Sequence, residues 1–217
     1  MGRSRYLWGG VLTTLVLGVS ILLYPDLGEQ IPIHWNVRGE VDAYGAKEWA
    51  SFLGPALMAG LLVVFRALPW LSPARFGIEG FRPTVEFIML LLVGLVGYLH
   101  MLSLWAATGA GVDVSRAIIA GVFLALALMG NVLGRVEPNF YIGIRTPWTL
   151  ADGRVWYRTH RLAAWTLTAA GALGFLLVLA GGWTIHALIL LGVAFAVPVL
   201  FSLCYYKRLE RRGGAGQ

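Results

Sequence analysis

Charge is what this 217-residue chain has least of. Asp, Glu, Lys and Arg make up 13% of it, against ~25% in soluble domains. With 58% hydrophobic residues, that deficit places the chain in a bilayer. Cysteine is nearly absent as well. Cys204 alone excludes an internal disulfide and any zinc site built on paired thiolates. No nucleophile–base pair, phosphate-cradling glycine loop or metal-ligand triplet stands in the sequence, so no catalytic residue, cofactor or metal is expected. The formal charge of +6 would point to nucleic acid in a soluble protein. Here cytoplasmic loops that collect Lys and Arg explain it, and no direct nucleic-acid partner is expected.

Long apolar runs are what the chain does have. A membrane helix needs ~20 mostly apolar residues, and six segments qualify: 6–24, 49–65, 84–107, 117–133, 162–181 and 183–206. The expected fold is an all-α bundle of six transmembrane helices forming a single membrane domain, 1–217. Trp70, Trp105, Trp183, Tyr205 and Tyr206 stand near predicted span ends, as interfacial aromatics do. With the N-terminus inside, 14 of the 17 basic residues fall on the cytoplasmic side; Arg38, Lys47 and Arg116 fall outside. Both termini are therefore expected in the cytoplasm. The first apolar run exceeds the ~7–15 residues of a signal-peptide core and reads as a retained span. Small residues at four-residue spacing (Ala117, Gly121 and Ala125, then Thr166, Ala170 and Gly174) are expected to let helices approach closely. Gly181-Gly182 should turn the last two spans into a tight hairpin, and 213–217 reads as a disordered tail.

Residues 25–48 form the one sizeable outer loop. Ile31, Ile33, Trp35 and Val37 alternate with Pro32, His34 and Asn36, a period of two that predicts an extended strand. A turn at 38–40 and a second short strand over 41–45 would make the loop hairpin-like, with His34 and Asn36 on one face. Asp26, Glu29, Glu40, Asp42 and Glu48 make the loop acidic, suited either to a cationic peptide or simply to water.

The cytoplasmic motif loop, 135–161, is dense in polar and aromatic residues. Phe140, Ile142 and Ile144 alternate with Tyr141, Gly143 and Arg145. Thr149-Leu-Ala-Asp152 matches the [ST]-x-x-[DE] helix-start signature, predicting a helix from near Leu150 into the fifth span. On it Trp156 and His160 share a face, as do Tyr157 and Arg161. The expected result is a platform of Asn139, Arg145, Trp148, Trp156, His160 and Arg161. Arg145 offers a planar fork to carboxylate or phosphate, and a histidine titrates near neutral pH. Two readings stay open: a lipid interface that stabilises the fold, and a dedicated binding or switching site.

Both loops carry a resemblance. The run 31–36 (Ile-Pro-Ile-His-Trp-Asn) followed by Gly39, Asp42 and Lys47 resembles the N-terminal domain of unknown function of SdpI-type membrane proteins. The run 138–150 followed by Val155-Trp156 and Thr159-His160-Arg161 resembles that family's second signature. The resemblance implies a bacterial plasma-membrane immunity and signal-transducing receptor, with membrane lipids around it. Its partners would be a secreted toxic peptide outside and a cytoplasmic repressor inside. It also implies ligand- or partner-binding residues at His34, Asn36, Gly39, Asp42 and Lys47, and at Asn139, Gly143, Arg145, Thr146, Trp148, Thr149, Trp156, Thr159, His160 and Arg161. The competing classes are a small membrane transporter, which would need polar residues along a midplane path, and a lipid-directed membrane enzyme using His160, Arg145 and Asn139.

Overall fold

The computed structural model describes residues 2–36, 39–109, 113–181 and 184–214. Val37, Arg38, Gly182, Trp183 and 215–217, to which the sequence assigned a strand position, an outer charge, a turn, an interfacial ring and part of the tail, lie outside the described residues.

Helix α1 spans Gly2–Leu23 and ends in a 3-10 turn, Tyr24–Asp26, where Pro25 fixes the backbone. A hairpin follows, β1 Gln30–Trp35 and β2 Val41–Ala46, then α2 Lys47–Leu71, α3 Arg82–Ala107 and α4 Val114–Leu133. The short α5 Pro147–Ala151 precedes α6 Gly153–Leu179 and α7 Thr184–Gly214. All but α5 are long and apolar enough to cross a membrane, six candidates among the described residues. This is a multi-pass membrane protein. The helices outrun the apolar windows that announce them: α2 continues past Arg66 to Leu71, and α7 runs through its basic residues to Gly214. Apolar length sets a minimum, whereas helical hydrogen bonding propagates through Lys, Arg, Glu and Leu at little cost. The helix even takes in positions 213 and 214, two glycines expected in a loose tail.

The chain forms two compact units, Met1–Ala67 with Glu86–Ala125, and Leu68–Val85 with Leu126–Gln217. In the first, Leu27, Ile31, Ala50 and Leu104 make a buried cluster beneath the hairpin. The Tyr98 hydroxyl of α3 donates to the Ala117 carbonyl of α4 at 2.8 Å. The Tyr98 ring lies against Gly121, where any side chain would collide with it. In the second unit, α4 meets α6 closely at Gly130: a Cβ there would stand 2.6 Å from the Thr168 nitrogen. Thr166 then ties α6 to α7 by donating to the Ala194 carbonyl at 2.9 Å.

The start of α6 differs from the sequence expectation. A separate short helix, α5, precedes it, and Thr146 is the N-cap of α5: its side chain accepts from the Thr149 N–H while the Thr149 hydroxyl accepts from the Thr146 N–H, a reciprocal capping box. Pro147 at the first helical position favours this start, because its fixed φ suits the first turn and its missing N–H is not needed there. Asp152 is extended (φ −136°, ψ 117°) and breaks the run after five residues. Its carboxylate then caps α6 by accepting from the Arg154 N–H at 2.8 Å.

Candidate functional site

The motif residues of 25–48 build and fasten the hairpin. Strand pairing runs from Gln30 opposite Ala46 to Trp35 opposite Val41, with irregular register around His34. Asn36 and Glu40 close it. The Asn36 N–H donates to the Glu40 carbonyl at 2.9 Å, and the two side chains bond at 2.9 Å. Gly39 adopts φ +84°, open to glycine at no steric cost, and its carbonyl accepts from Ser115 of α4 at 2.7 Å. Ser103 of α3 donates to the Pro32 carbonyl. Lys47 turns back on its own segment, donating to the Leu27 carbonyl at 2.7 Å and covering the Tyr24 ring at 4.8 Å. His34 and Asp42 stand apart from this fastening: both are exposed, with Nδ1 and Oδ1 2.5 Å apart across the strands.

Beneath β1 lies a cavity of about 390 Å3, bounded by α2, α3 and α4. Its lining includes His34, Trp35, Leu53, Val96, His100 and Ile118. His100 at its inner side is buried, with Nε2 2.9 Å from the Ser20 hydroxyl of α1. Gly54 of α2 makes room for that ring, which a Cβ would strike.

In 135–161, most of the expected platform is interior. Asn139 is fully buried and uses its whole amide. Its oxygen accepts from the Tyr141 and Ile142 N–H groups at 2.7 Å each, and its NH2 donates to the Glu137 and Ile142 carbonyls at 2.8 and 3.0 Å. Trp156 is also fully buried, stacked on His160 with ring centroids 4.0 Å apart, and donates from Nε1 to the Val136 carbonyl at 2.7 Å. His160 Nε2 accepts from the Ile144 N–H at 2.9 Å, and Nδ1 lies 2.9 Å from the Trp156 carbonyl. A backbone N–H only donates, so Nε2 carries a lone pair and the hydrogen sits on Nδ1. These bonds specify a neutral ring with one tautomer, held inside the fold as a structural post.

Gly143, at φ +110°, lies against the same ring. Thr149 is buried in its capping box and donates to the Ile144 carbonyl at 2.8 Å. Thr159 is fully buried, and its hydroxyl has no hydrogen-bond partner among the described residues. Trp148 donates to Ser202 of α7 at 2.6 Å. Arg145 and Arg161 alone of the platform are exposed, Arg145 donating to the Phe140 carbonyl. Asp152, salt-bridged to Arg154 at 2.7 Å, is held below the ordinary carboxylate range chiefly by that side-chain hydrogen bond. The structure therefore brings Asn139, Gly143, Thr146, Thr149, Trp156 and His160 into one knot, and leaves the two arginines outside it.

Ser103, Ser115 and Ser20 were not among the sequence-derived site residues. A single serine inside an apolar helix carries no local signal.

The two regions coincide with two family matches. Residues 135–202 match the SdpI/YfhL protein family, and residues 11–59 match a domain of unknown function, DUF1648. Over 202 residues the chain is 30% identical to Immunity protein SdpI of Bacillus subtilis (strain 168), covering 92% of this chain and 95% of that protein. The chain belongs to the SdpI family. No solved structure matches this SdpI-family chain. Its hairpin lies within the DUF1648 stretch, which also supplies the β1 and α2 walls of the cavity, and its buried knot lies within the SdpI/YfhL stretch.

Proposed function

We propose that this chain is a bacterial plasma-membrane immunity protein that protects its cell from a secreted toxic peptide and relays the peptide's presence to a cytoplasmic regulator. The observation that carries the reading is its likeness to Immunity protein SdpI over 95% of that protein's length. Both regions of motif residues fall within the aligned families, so the likeness is not confined to the apolar helices. The distribution of Lys and Arg supports an orientation with both termini in the cytoplasm, 25–48 outside and 135–161 inside. On that orientation the exposed His34–Asp42 pair faces the arriving peptide, and the exposed Arg145 and Arg161 are the residues of the motif loop available to a regulator.

A receptor of this kind needs a ligand that binds two states with different affinity. The hairpin, fastened by Ser103 and Ser115 to α3 and α4, couples such a ligand to helix position. The enzyme reading has less support, because Asn139 and His160 are buried with their polar atoms engaged while Arg145 is exposed elsewhere.

The test is survival of a toxin-sensitive bacterial host expressing this chain and challenged with the killing peptide against which the family's named member protects. Variants His34→Ala and Arg145→Ala are compared at equal membrane levels. Protection by the unmodified chain is the expected result, with His34→Ala reducing it. Well-inserted chain that gives no protection would overturn the reading.

A further inference from the structure

The cavity beneath β1 has a definite chemistry. Its volume of about 390 Å3 lies at the small end of the ~300–1,000 Å3 of ligand pockets, enough for an anchor group and too little for a folded segment. Trp35, Leu53, Val96 and Ile118 give it apolar walls. The polar groups on its inner side are already engaged, His100 with Ser20 and Ser103 with the Pro32 carbonyl. The interior therefore rewards an apolar group that asks for no hydrogen bond.

The mouth has the opposite character. His34 lines the cavity and carries Asp42 on its Nδ1. Asp26, Glu29, Glu40 and Glu48 of the same 25–48 segment are exposed, and Lys47 is folded back onto the Leu27 carbonyl. An exposed carboxylate paired with a lining residue, in a segment richer in acidic than in basic side chains, attracts a positively charged ligand and repels the phosphate of an anionic lipid.

We infer that this cavity receives one aromatic or branched aliphatic side chain of a cationic peptide, with Asp42, steadied by His34, meeting the peptide's positive charge at the mouth. That the ligand is a peptide rests on the immunity reading; the pairing of an apolar anchor with a cation rests on the cavity itself.

The experiment uses the full chain in uncharged detergent micelles with 5-fluorotryptophan incorporated. The Trp35 resonance is identified by its loss in Trp35→Phe. The probes are three capped tripeptides, Lys-Phe-Lys, Lys-Ser-Lys and Glu-Phe-Glu. The expected result is a saturable shift of the Trp35 signal with Lys-Phe-Lys, and binding about tenfold weaker when the ring or the positive charge is removed. Filling the chamber with Val96→Phe or Ile118→Phe should weaken binding about tenfold, while the other tryptophan signals show that the variant is folded. Asp42→Asn should weaken binding chiefly at low salt.

A Trp35 signal that no probe moves overturns the inference. So does one moved equally by Glu-Phe-Glu, or by added phosphatidylglycerol without peptide, which makes the chamber a lipid pocket. The survival assay separates the two levels of the argument. Full protection from both filled variants removes the cavity assignment and leaves the immunity reading standing. A normal Trp35 response in a chain that protects nothing removes the immunity reading and leaves the cavity's chemistry.

Discussion

Gly143→Ala adds a methyl group that has no room. Gly143 sits at φ +110°, and a Cβ built there runs into the His160 imidazole. Two costs follow. Holding a residue with a side chain in that backbone region costs ~1–3 kcal/mol, and forcing a methyl into a packed ring costs ~1–3 kcal/mol more. Together they take away about 2–6 kcal/mol, a large part of the ~5–15 kcal/mol that keeps a typical protein folded. Only the second cost needs the imidazole, so a mutant cycle separates them. His160→Ala alone strands the Ile144 N–H, about 1–3 kcal/mol, and truncates a buried ring beside Trp156, for a total of about 3–5 kcal/mol. In that background Gly143→Ala should lose its steric part and keep its backbone part. The double variant should then be more stable than the two single effects predict, by about 1–3 kcal/mol. SDS titration in mixed micelles, followed by near-ultraviolet circular dichroism of the tryptophans, measures all four corners. Costs that add to within ~0.5 kcal/mol would refute the idea that Gly143 exists to make room for His160.

Asn139→Ala should free the Tyr141 and Ile142 N–H groups together and cost about 2–4 kcal/mol in the same titration; a change below ~0.5 kcal/mol would mean water replaces the amide. Asp152 gives a pH signature. Its carboxyl is depressed from an ordinary value of 3.8, so its stabilising pairing with Arg154 is complete above that value and fades as pH falls through the depressed native one. Asp152→Asn keeps a capping oxygen but loses the charge. Melting points of the two proteins should differ at neutral pH, and the gap should narrow as pH falls below the ordinary carboxylate value; an unchanged gap would count against the pairing.

The six helices were legible because apolar length is written directly in composition, and the hairpin because Ile31, Ile33 and Trp35 alternate with Pro32 and His34. The knot was legible in its members but not in its arrangement. Asn139, Trp156 and His160 look like an exposed polar platform when only side chains are read. Their partners are the backbone groups of Glu137, Ile142, Ile144 and Val136, and every residue carries those groups alike. The helix start was misplaced because Thr149 and Asp152 have the spacing of one capping motif while serving two helices; Pro147 was the signal that decides between them. The cavity was invisible because its walls come from β1, α2, α3 and α4, and no local pattern records which residues will face one another across a space.

Ser103 and Ser115 hold the hairpin by grasping the main chain at Pro32 and Gly39. A carbonyl is present whatever the side chain, so these two grips do not depend on the identities of most strand residues. An exposed position outside the signature, such as Tyr44, is free to change while the strand pair stays seated. The mount and the exposed face are thereby specified by different residues. Diversity among relatives should therefore gather at exposed strand positions outside the signature and spare the two serines beneath them.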